Sequence, residues 1–300
     1  MVTGEAIAVL ANPGAGRGRH RAVLPGLVRQ LGDSGYDVQV LHAPTAEAAE
    51  QACHRAVADG AAALVALGGD GTVHLALQAV AGARIPFGVV PTGTGNDFAA
   101  AVGVPAEPLV AADAVAAALR DGRQRRIDLA RVSDAEGRGR WFGAVLAAGF
   151  DAIVNERANR MRRPKGPRRY DLAIMLELAR LRPRAYTLVL DGQTHEFPGV
   201  LVAVGNCASY GGGMRICPDA DPADGLLDVV VADPLGRVTL ARLKPRLRSG
   251  THVTDPRVHS YRAREVVITA HDIVGYADGE RIGPLPLRVG CVPGALRLLS

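Results

Sequence analysis

Three short stretches of this chain place glycine, threonine and aspartate at spacings that suit phosphate. They are Asn12-Pro13-Gly14-Ala15-Gly16-Arg17-Gly18, Gly68-Gly69-Asp70-Gly71-Thr72 and Pro91-Thr92-Gly93-Thr94-Gly95-Asn96-Asp97. Glycine permits backbone geometries that aim successive N–H groups at one anion, and it lets the chain approach a phosphate closely. A helix starting at the end of such a turn adds the positive end of its dipole. Thr72 and Thr94 can donate hydroxyls to phosphate oxygens. Asp70 would repel phosphate, so it suits a metal, a water or an acceptor hydroxyl, or else the cap of a helix that begins near Thr72. One glycine-rich turn is a weak signal. Three at successive strand ends are a stronger one.

Better-known phosphate motifs are missing. There is no Gly-Lys dipeptide, which removes the P-loop, and neither His-Arg-Asp nor Asp-Phe-Gly of the eukaryotic protein kinases occurs. Gly14-Ala15-Gly16-Arg17-Gly18 spaces its glycines as GxGxG, and no acidic residue ends the second strand, so a dinucleotide-binding Rossmann site is disfavoured.

The turns need elements to hold them. Short β-rich runs alternate with helical patterns over the first 120 or so residues: Ile7–Leu10, then a helix to about Leu31; Asp37–Leu41, then Ala46–Ala58; Ala63–Leu67, then Thr72–Val80; Phe87–Val90, then Asp97–Ala101. Repeated strand–turn–helix predicts an α/β domain with a parallel sheet, whose ligands bind outside the carboxyl ends of the strands. After Arg125 the pattern changes to apolar runs joined by short turns, at Trp141–Phe150, Tyr186–Leu190, Gly199–Val204, Leu226–Val231 and Glu265–Thr269. Asp191-Gly192 is a hairpin signal, because a type I′ turn needs positive φ at both central residues. Asp278-Gly279 reads the same way. This half predicts a mainly antiparallel β-sandwich with one helix over Tyr170–Leu181. The expected division is residues 1–125 and 126–290, with a tail at 291–300 returning to the first domain.

With 300 residues and 48% apolar content the chain can fill two cores. Its longest apolar runs, including Phe142–Phe150 and Val200–Val204, are too short to span a bilayer, and Met1–Leu10 lacks the basic start of a signal peptide. A cytoplasmic location is therefore expected. Cys53, Cys207, Cys217 and Cys291 form no CxxC pair and are expected to be reduced core thiols. The net charge of +5 is carried almost wholly by arginine, Lys165 and Lys244 being the only lysines. Arg160, Arg162, Arg163, Lys165, Arg168 and Arg169 crowd the run Arg157–Arg169. Such a run is either a solvated face or a contact for anionic lipid headgroups. Without interleaved aromatic residues it does not suit nucleic acid.

Taken in order and spacing, the first turn, GGDGT leading into a helix, and PTGTGNDF resemble the diacylglycerol kinase catalytic domain. That family includes bacterial lipid kinases, sphingosine kinases and ceramide kinases. The resemblance continues through Gly205-Asn206, Gly211-Gly212-Gly213, Asp224-Gly225-Leu226-Leu227-Asp228, Asp278-Gly279-Glu280 and Val292-Pro293-Gly294-Ala295-Leu296, so it covers nearly the whole chain. It implies a two-domain kinase with ATP in the cleft and a lipid alcohol, most simply diacylglycerol, as acceptor. Asn12, Pro13, Gly14, Ala15 and Gly16 would hold nucleotide together with Gly69, Asp70, Gly71 and Thr72, with Thr94 on phosphate and Thr45 a further contact. Asp278 would be the general base, and Asp70 and Asp97 would join a carboxylate network around the reacting Mg²⁺. Asp224 would anchor a second, structural Mg²⁺. His74 stands where bacterial relatives often carry Asn, and Asp221-Pro222-Ala223 precedes Asp224, departures that bear on the metal site. The expected partners are the membrane surface, reached through Arg157–Arg169, and a second copy of the chain in a homodimer. Competing readings are an NAD kinase, which shares GGDGT, a kinase of a soluble alcohol, and a non-catalytic nucleotide-binding protein. On residues alone, Asp278 reads first as a plain turn residue.

Overall fold

The apolar runs of the first hundred residues become strands β1 (Ala6–Ala11), β2 (Asp37–Leu41), β3 (Ala63–Gly68) and β4 (Pro86–Pro91) in the computed structural model. The structure describes residues 6–11, 19–161, 163, 167–243 and 245–300. Two units divide the chain: Met1–Leu129 with Pro222–Asp224 and Val292–Ser300, and Ala130–Asp221 with Gly225–Cys291.

In the first unit β2, β1, β3 and β4 pair side by side, all parallel. Every residue of β3 is buried, as expected of a strand covered on both faces. Ile7, Val9, Val65 and Leu67 pack with Val23, Leu27 and Leu31 of α1 (Arg19–Asp33). The alternate residues Ala8, Leu10, Leu64 and Ala66 turn to the other face. That face is covered by α2 (Ala46–Ala58) and α3 (Asp70–Val80), through Cys53, Val73 and Leu77. α4 (Asp97–Ala101) follows β4, and α5 (Pro108–Arg120) adds Ala112, Val115 and Leu119 to the α1 side. β5 (Gln124–Ser133) leads out. The chain's last residues return, with Arg297 and Leu298 pairing in parallel with Pro86 and Phe87 of β4.

The second unit opens with β6 (Gly139–Phe142), β7 (Val145–Gly149), α6 (Phe150–Arg160) and α7 (Pro167–Ala179). There follow β8 (Arg184–Leu190), β9 (Gln193–Gly199), β10 (Leu201–Gly205), β11 (Leu227–Ala232), α8 (Arg237–Leu243), α9 (Arg246–Ser249) and a 3-10 turn at Thr251–Thr254. The strands β12 (Val258–Ala263), β13 (Glu265–Thr269), β14 (Val274–Ala277), β15 (Glu280–Pro284) and β16 (Leu287–Leu299) close the chain. Strands β12, β11, β10, β7, β14 and β15 form one antiparallel sheet. The first residues of β16 pair with β13, which pairs with β8 and then β9, again antiparallel. Leu146, Val202 and Val229 of one layer meet Leu188, Val266 and Val289 of the other in a shared core. The architecture is thus an α/β unit followed by an antiparallel β-sandwich.

Local signals place several elements well. Asp191 and Gly192 have φ of 46° and 88°, a type I′ turn joining β8 to β9. Asp278 and Gly279, at 51° and 85°, repeat it between β14 and β15. The one helix expected in the second half, over Tyr170–Leu181, runs Pro167–Ala179 and is joined by α6, α8 and α9. Two further expectations shift. The apolar run Trp141–Phe150 breaks into β6, β7 and the start of α6, and the helix expected from Thr72 begins at Asp70. In the second case Gly69 serves as N-cap without a side-chain bond, so the helix starts as soon as the glycine pair ends.

Candidate active site

The second and third glycine turns meet at the carboxyl ends of β3 and β4. A Cβ on Gly93 would lie 2.5 Å from the Gly69 Cα and 2.7 Å from Asn96 Oδ1. Thr92 N–H donates to Gly68 O at 2.9 Å. Only glycines allow this approach of one backbone to the other. Asn96 adopts a left-handed φ of 58°, and its side chain accepts from Gly93 N–H at 3.0 Å and donates to Gly93 O at 3.2 Å. Asp70 then ties the turns together, its carboxylate accepting from Asn96 N–H at 2.7 Å and Phe98 N–H at 3.3 Å.

Thr72 is 1% exposed, and its hydroxyl folds back over Gly68, where a Cβ would lie 2.1 Å from Oγ1. Thr92 is buried beside it. Thr94 stands exposed at the tip of the third turn, and Asp97 is buried at the start of α4. Thr45 caps α2, accepting from Ala48 N–H at 3.2 Å. The backbone N–H of Glu47 first, and the Thr45 hydroxyl second, hold the Glu47 carboxyl below the usual range. The structure thus brings Gly69, Asp70, Thr72 and the third turn together, and leaves Thr45 at a different strand end. Asn12, Pro13, Gly14, Ala15 and Gly16 lie outside the described residues.

In the second unit Asp278 is held by a clasp that sequence reading misses. Its carboxylate accepts from Gly143 N–H and Ala144 N–H, both at 2.9 Å, while its own N–H donates to Val145 O at 3.1 Å. The clasping peptide is itself fixed: Asn206 Nδ2 donates to Gly143 O at 2.8 Å, and the N–H groups of Asn206 and Cys207 donate to Ala144 O at 2.9 and 3.0 Å. Two amides use about two of the four acceptor positions of a carboxylate. Asp191, in its own hairpin turn, is also held by two amides, its Oδ1 accepting from both Arg264 N–H at 3.0 Å and Glu265 N–H at 2.8 Å. The clasp is therefore a device of the fold, and chemistry at Asp278 must come from what it faces.

Asp128 is a second residue that the sequence reading passes over. It is 5% exposed in β5 and accepts from Gly294 N–H at 2.6 Å, while its N–H donates to Pro222 O at 2.7 Å. An acid between Ile127 and Leu129 in an apolar strand is the signal that would have found it. Cys53 and Cys217 offer no nucleophile, since burial pushes Cys53 up to about 12 and Cys217 higher still.

For a metal, the donors are hard carboxylate oxygens, which suit Mg²⁺, and Mg²⁺ often takes only one or two carboxylates beside phosphate oxygens and water. Asp70 and Asp97 fit that requirement. Asp224 is exposed, and among the described residues no group of three His, Cys, Asp or Glu side chains could enclose an ion. A metal at Asp224 would therefore rely on carbonyl and water oxygens.

Comparison with known proteins matches residues 6–132 to the diacylglycerol kinase catalytic domain and residues 144–300 to the YegS C-terminal NAD kinase beta sandwich-like domain. A diacylglycerol kinase of Mycobacterium tuberculosis is 43% identical over 295 residues, 98% of this chain and 94% of that protein. A protein of Xanthomonas oryzae pv. oryzae named "Probable lipid kinase YegS-like" is 34% identical over 262 residues, 83% of this chain and 82% of its own length. A crystal structure described as a diacylglycerol kinase from Bacillus anthracis str. Sterne shares the fold, with TM-score 0.73 at 20% identity over 100% of this chain and 98% of that one. A second structure from that organism gives 0.80 at 22% identity, covering 100% and 96%.

Proposed function

The chain belongs to the diacylglycerol kinase family of lipid kinases, and from that premise we propose that it transfers the γ-phosphoryl group of ATP to a primary hydroxyl of a membrane lipid, diacylglycerol first. The observation that carries this reading is the 43% identity to a diacylglycerol kinase along 98% of the chain.

Phosphoryl transfer asks the protein to position the donor, neutralise charge and accept a proton. The stitched turns at Gly69 and Gly93 offer backbone N–H groups and the exposed Thr94 hydroxyl to the triphosphate. Asp70 acts mainly by holding the third turn against the second. Asp278 receives the proton of the acceptor hydroxyl, and its two amide partners keep the carboxylate aimed without neutralising it. Mg²⁺, held by Asp97 with Asp70 and the phosphates, would supply charge neutralisation, and Asp224 remains the candidate for a structural ion.

Reaching a lipid requires contact with the membrane. No helix of the described residues is long and apolar enough to cross one. Within the basic run, Arg157 is bound to Glu177, and Arg160 to Glu156 at 2.7 Å, so these two are already engaged. Arg163 is exposed, while Arg162, Lys165 and the side chain of Arg168 lie outside the described residues. Leu172 and Met175, one helical turn apart on α7, are 37% and 69% exposed. A peripheral contact made by these arginines and this apolar face, without nucleic acid as partner, is part of the proposal.

The test is a labelled-ATP assay against detergent-dispersed diacylglycerol, a sphingoid base, an isoprenoid alcohol and NAD. Product from diacylglycerol or a related lipid alcohol is the expected result. Phosphorylation of NAD and of no lipid would transfer the assignment to the NAD kinase reading.

A further inference from the structure

The second unit contains a cavity of about 410 Å³ whose walls divide into two chemistries. Arg180 and Arg182 follow the end of α7, Arg184 opens β8 and Arg237 opens α8, and all four line the cavity. Phe150 and Ile153 from the first turn of α6, with Leu181 and Val200, supply apolar wall. The one acidic residue of the lining, Glu177, is bound to Arg157. Among the described residues none of the four arginines forms an ion pair with a carboxylate. Elsewhere the unit does pair its arginines, as at Arg257–Asp255, Arg281–Glu156 and Arg288–Glu265.

Four like charges around one cavity repel one another, and an anion among them removes that repulsion. Guanidinium presents a planar fork of donors that matches phosphate oxygens. The volume is of the size that takes a small ligand, roughly 300–1,000 Å³. The apolar wall asks for a ligand whose phosphate is joined to a hydrophobic part. α7 points to the same class, since the helix that exposes Leu172 and Met175 ends at this cavity.

The cavity is not the place of the acceptor hydroxyl. Asp278 is clasped at the Val145 end of β7, whereas Phe150 and Val200 lie beyond its Gly149 end. The four residue steps from Val145 to Gly149, at about 3.4 Å each, separate the two by roughly 14 Å. We infer that this cavity is an anion site of its own, binding a phosphate ester attached to an apolar body, as in the headgroup region of an acidic phospholipid.

Binding is read directly by calorimetry on the full chain, and because phosphatidic acid is also the product of the proposed reaction, the site is assigned by the part of its binding that substitution of the cavity arginines removes. The probes are monomeric dihexanoyl phosphatidic acid, inorganic phosphate and dihexanoyl phosphatidylcholine. Saturable binding of the phosphatidic acid is expected, with a component weakened about tenfold or more in the Arg182→Gln/Arg237→Gln double variant. The single variants are measured alongside, each expected to weaken it severalfold. Circular dichroism and thermal melting confirm that each variant is folded. Phosphatidic acid binding more tightly than inorganic phosphate assigns the site to a lipid-borne anion; equal affinities, both lost in the variants, assign it to the phosphate group alone and sink the amphiphile. No saturable binding of either anion, equal binding of phosphatidylcholine, or unchanged affinity in every variant overturns the site.

Discussion

Asp278 and Asp191 are the same residue type in the same turn, each held by two backbone amides, but Asp278 takes one amide on each oxygen while Asp191 takes both on Oδ1. Asparagine has one carbonyl oxygen where aspartate has two acceptors. Asp191→Asn can keep both amides on one oxygen, whereas Asp278→Asn leaves one of the two amides facing an NH₂ group. That loss costs about 1–3 kcal/mol wherever the amide is shielded from water. Asp278→Asn should therefore lower Tm as well as kcat, the latter by about 10²–10⁴-fold if the carboxylate accepts the hydroxyl proton. Asp191→Asn should lower Tm less than Asp278→Asn does and leave kcat near wild type. Steady-state kinetics with paired melting curves separate the two effects, and a full-speed Asp278→Asn enzyme would place the base elsewhere. Asn206 stands one step back, holding the Gly143 carbonyl of the peptide that clasps Asp278. Asn206→Ala should reduce kcat about tenfold through misplacement of the base, with KM for ATP unchanged. A rise in KM for ATP at constant kcat would remove it from this role.

Among the elements, the β3–α3 and β4–α4 connections are packed backbone to backbone, so their glycines serve contact as much as conformation. A methyl group at Gly93 would meet the Gly69 Cα and the Asn96 side chain, neither of which can yield without breaking the Asp70 and Gly93 hydrogen bonds. Gly93→Ala should therefore destabilise the first unit and weaken ATP binding by tenfold or more. Gly32 in α1 has nothing within 4 Å of a built Cβ. Gly32→Ala should keep ATP affinity and raise Tm, since alanine in a helix interior is favoured over glycine by up to about 1 kcal/mol. Isothermal titration and melting curves on the pair check both. Equal ATP affinity in the two variants would mean that the third turn does not shape the nucleotide site.

For the whole molecule, the charge that distinguishes this chain is arginine, and ion pairing divides it into committed and uncommitted groups. Arg157, Arg160 and Arg281 are tied to Glu177 and Glu156. Substituting Arg162, Arg163, Arg168 and Arg169 by glutamine should weaken binding to anionic vesicles, each basic residue near the surface being worth about 1 kcal/mol. Wild-type binding should fall as salt rises, because the screening length shortens to about 8 Å at physiological ionic strength. Sedimentation with phosphatidylglycerol vesicles reads this, and ATP affinity should not change. Equal sedimentation of variant and wild type would make the run a solvated face.

What the sequence determined by itself is whatever neighbouring residues decide together. Continuous apolar runs of five or six residues made the buried parallel strands legible, and Asp-Gly pairs at 191–192 and 278–279 announced turns that need positive φ. The family was legible because its motifs are short and contiguous, and the α/β unit and the sandwich follow from the switch in periodicity. The boundary inside Trp141–Phe150 was not legible, because a strand and a helix start share one apolar run there. The side-chain geometry of the site was not legible either. Asp70 reaches Asn96 across 26 residues, and Asp278 reaches Gly143 across 135. Those bonds exist only once β3 lies beside β4 and β14 beside β7. The arginine-lined cavity likewise gathers α6, α7, β8 and α8 from separate stretches of chain. Backbone preference is a local property, whereas the partner of a buried carboxylate is chosen by the packing that excludes water around it, and that choice belongs to the tertiary structure.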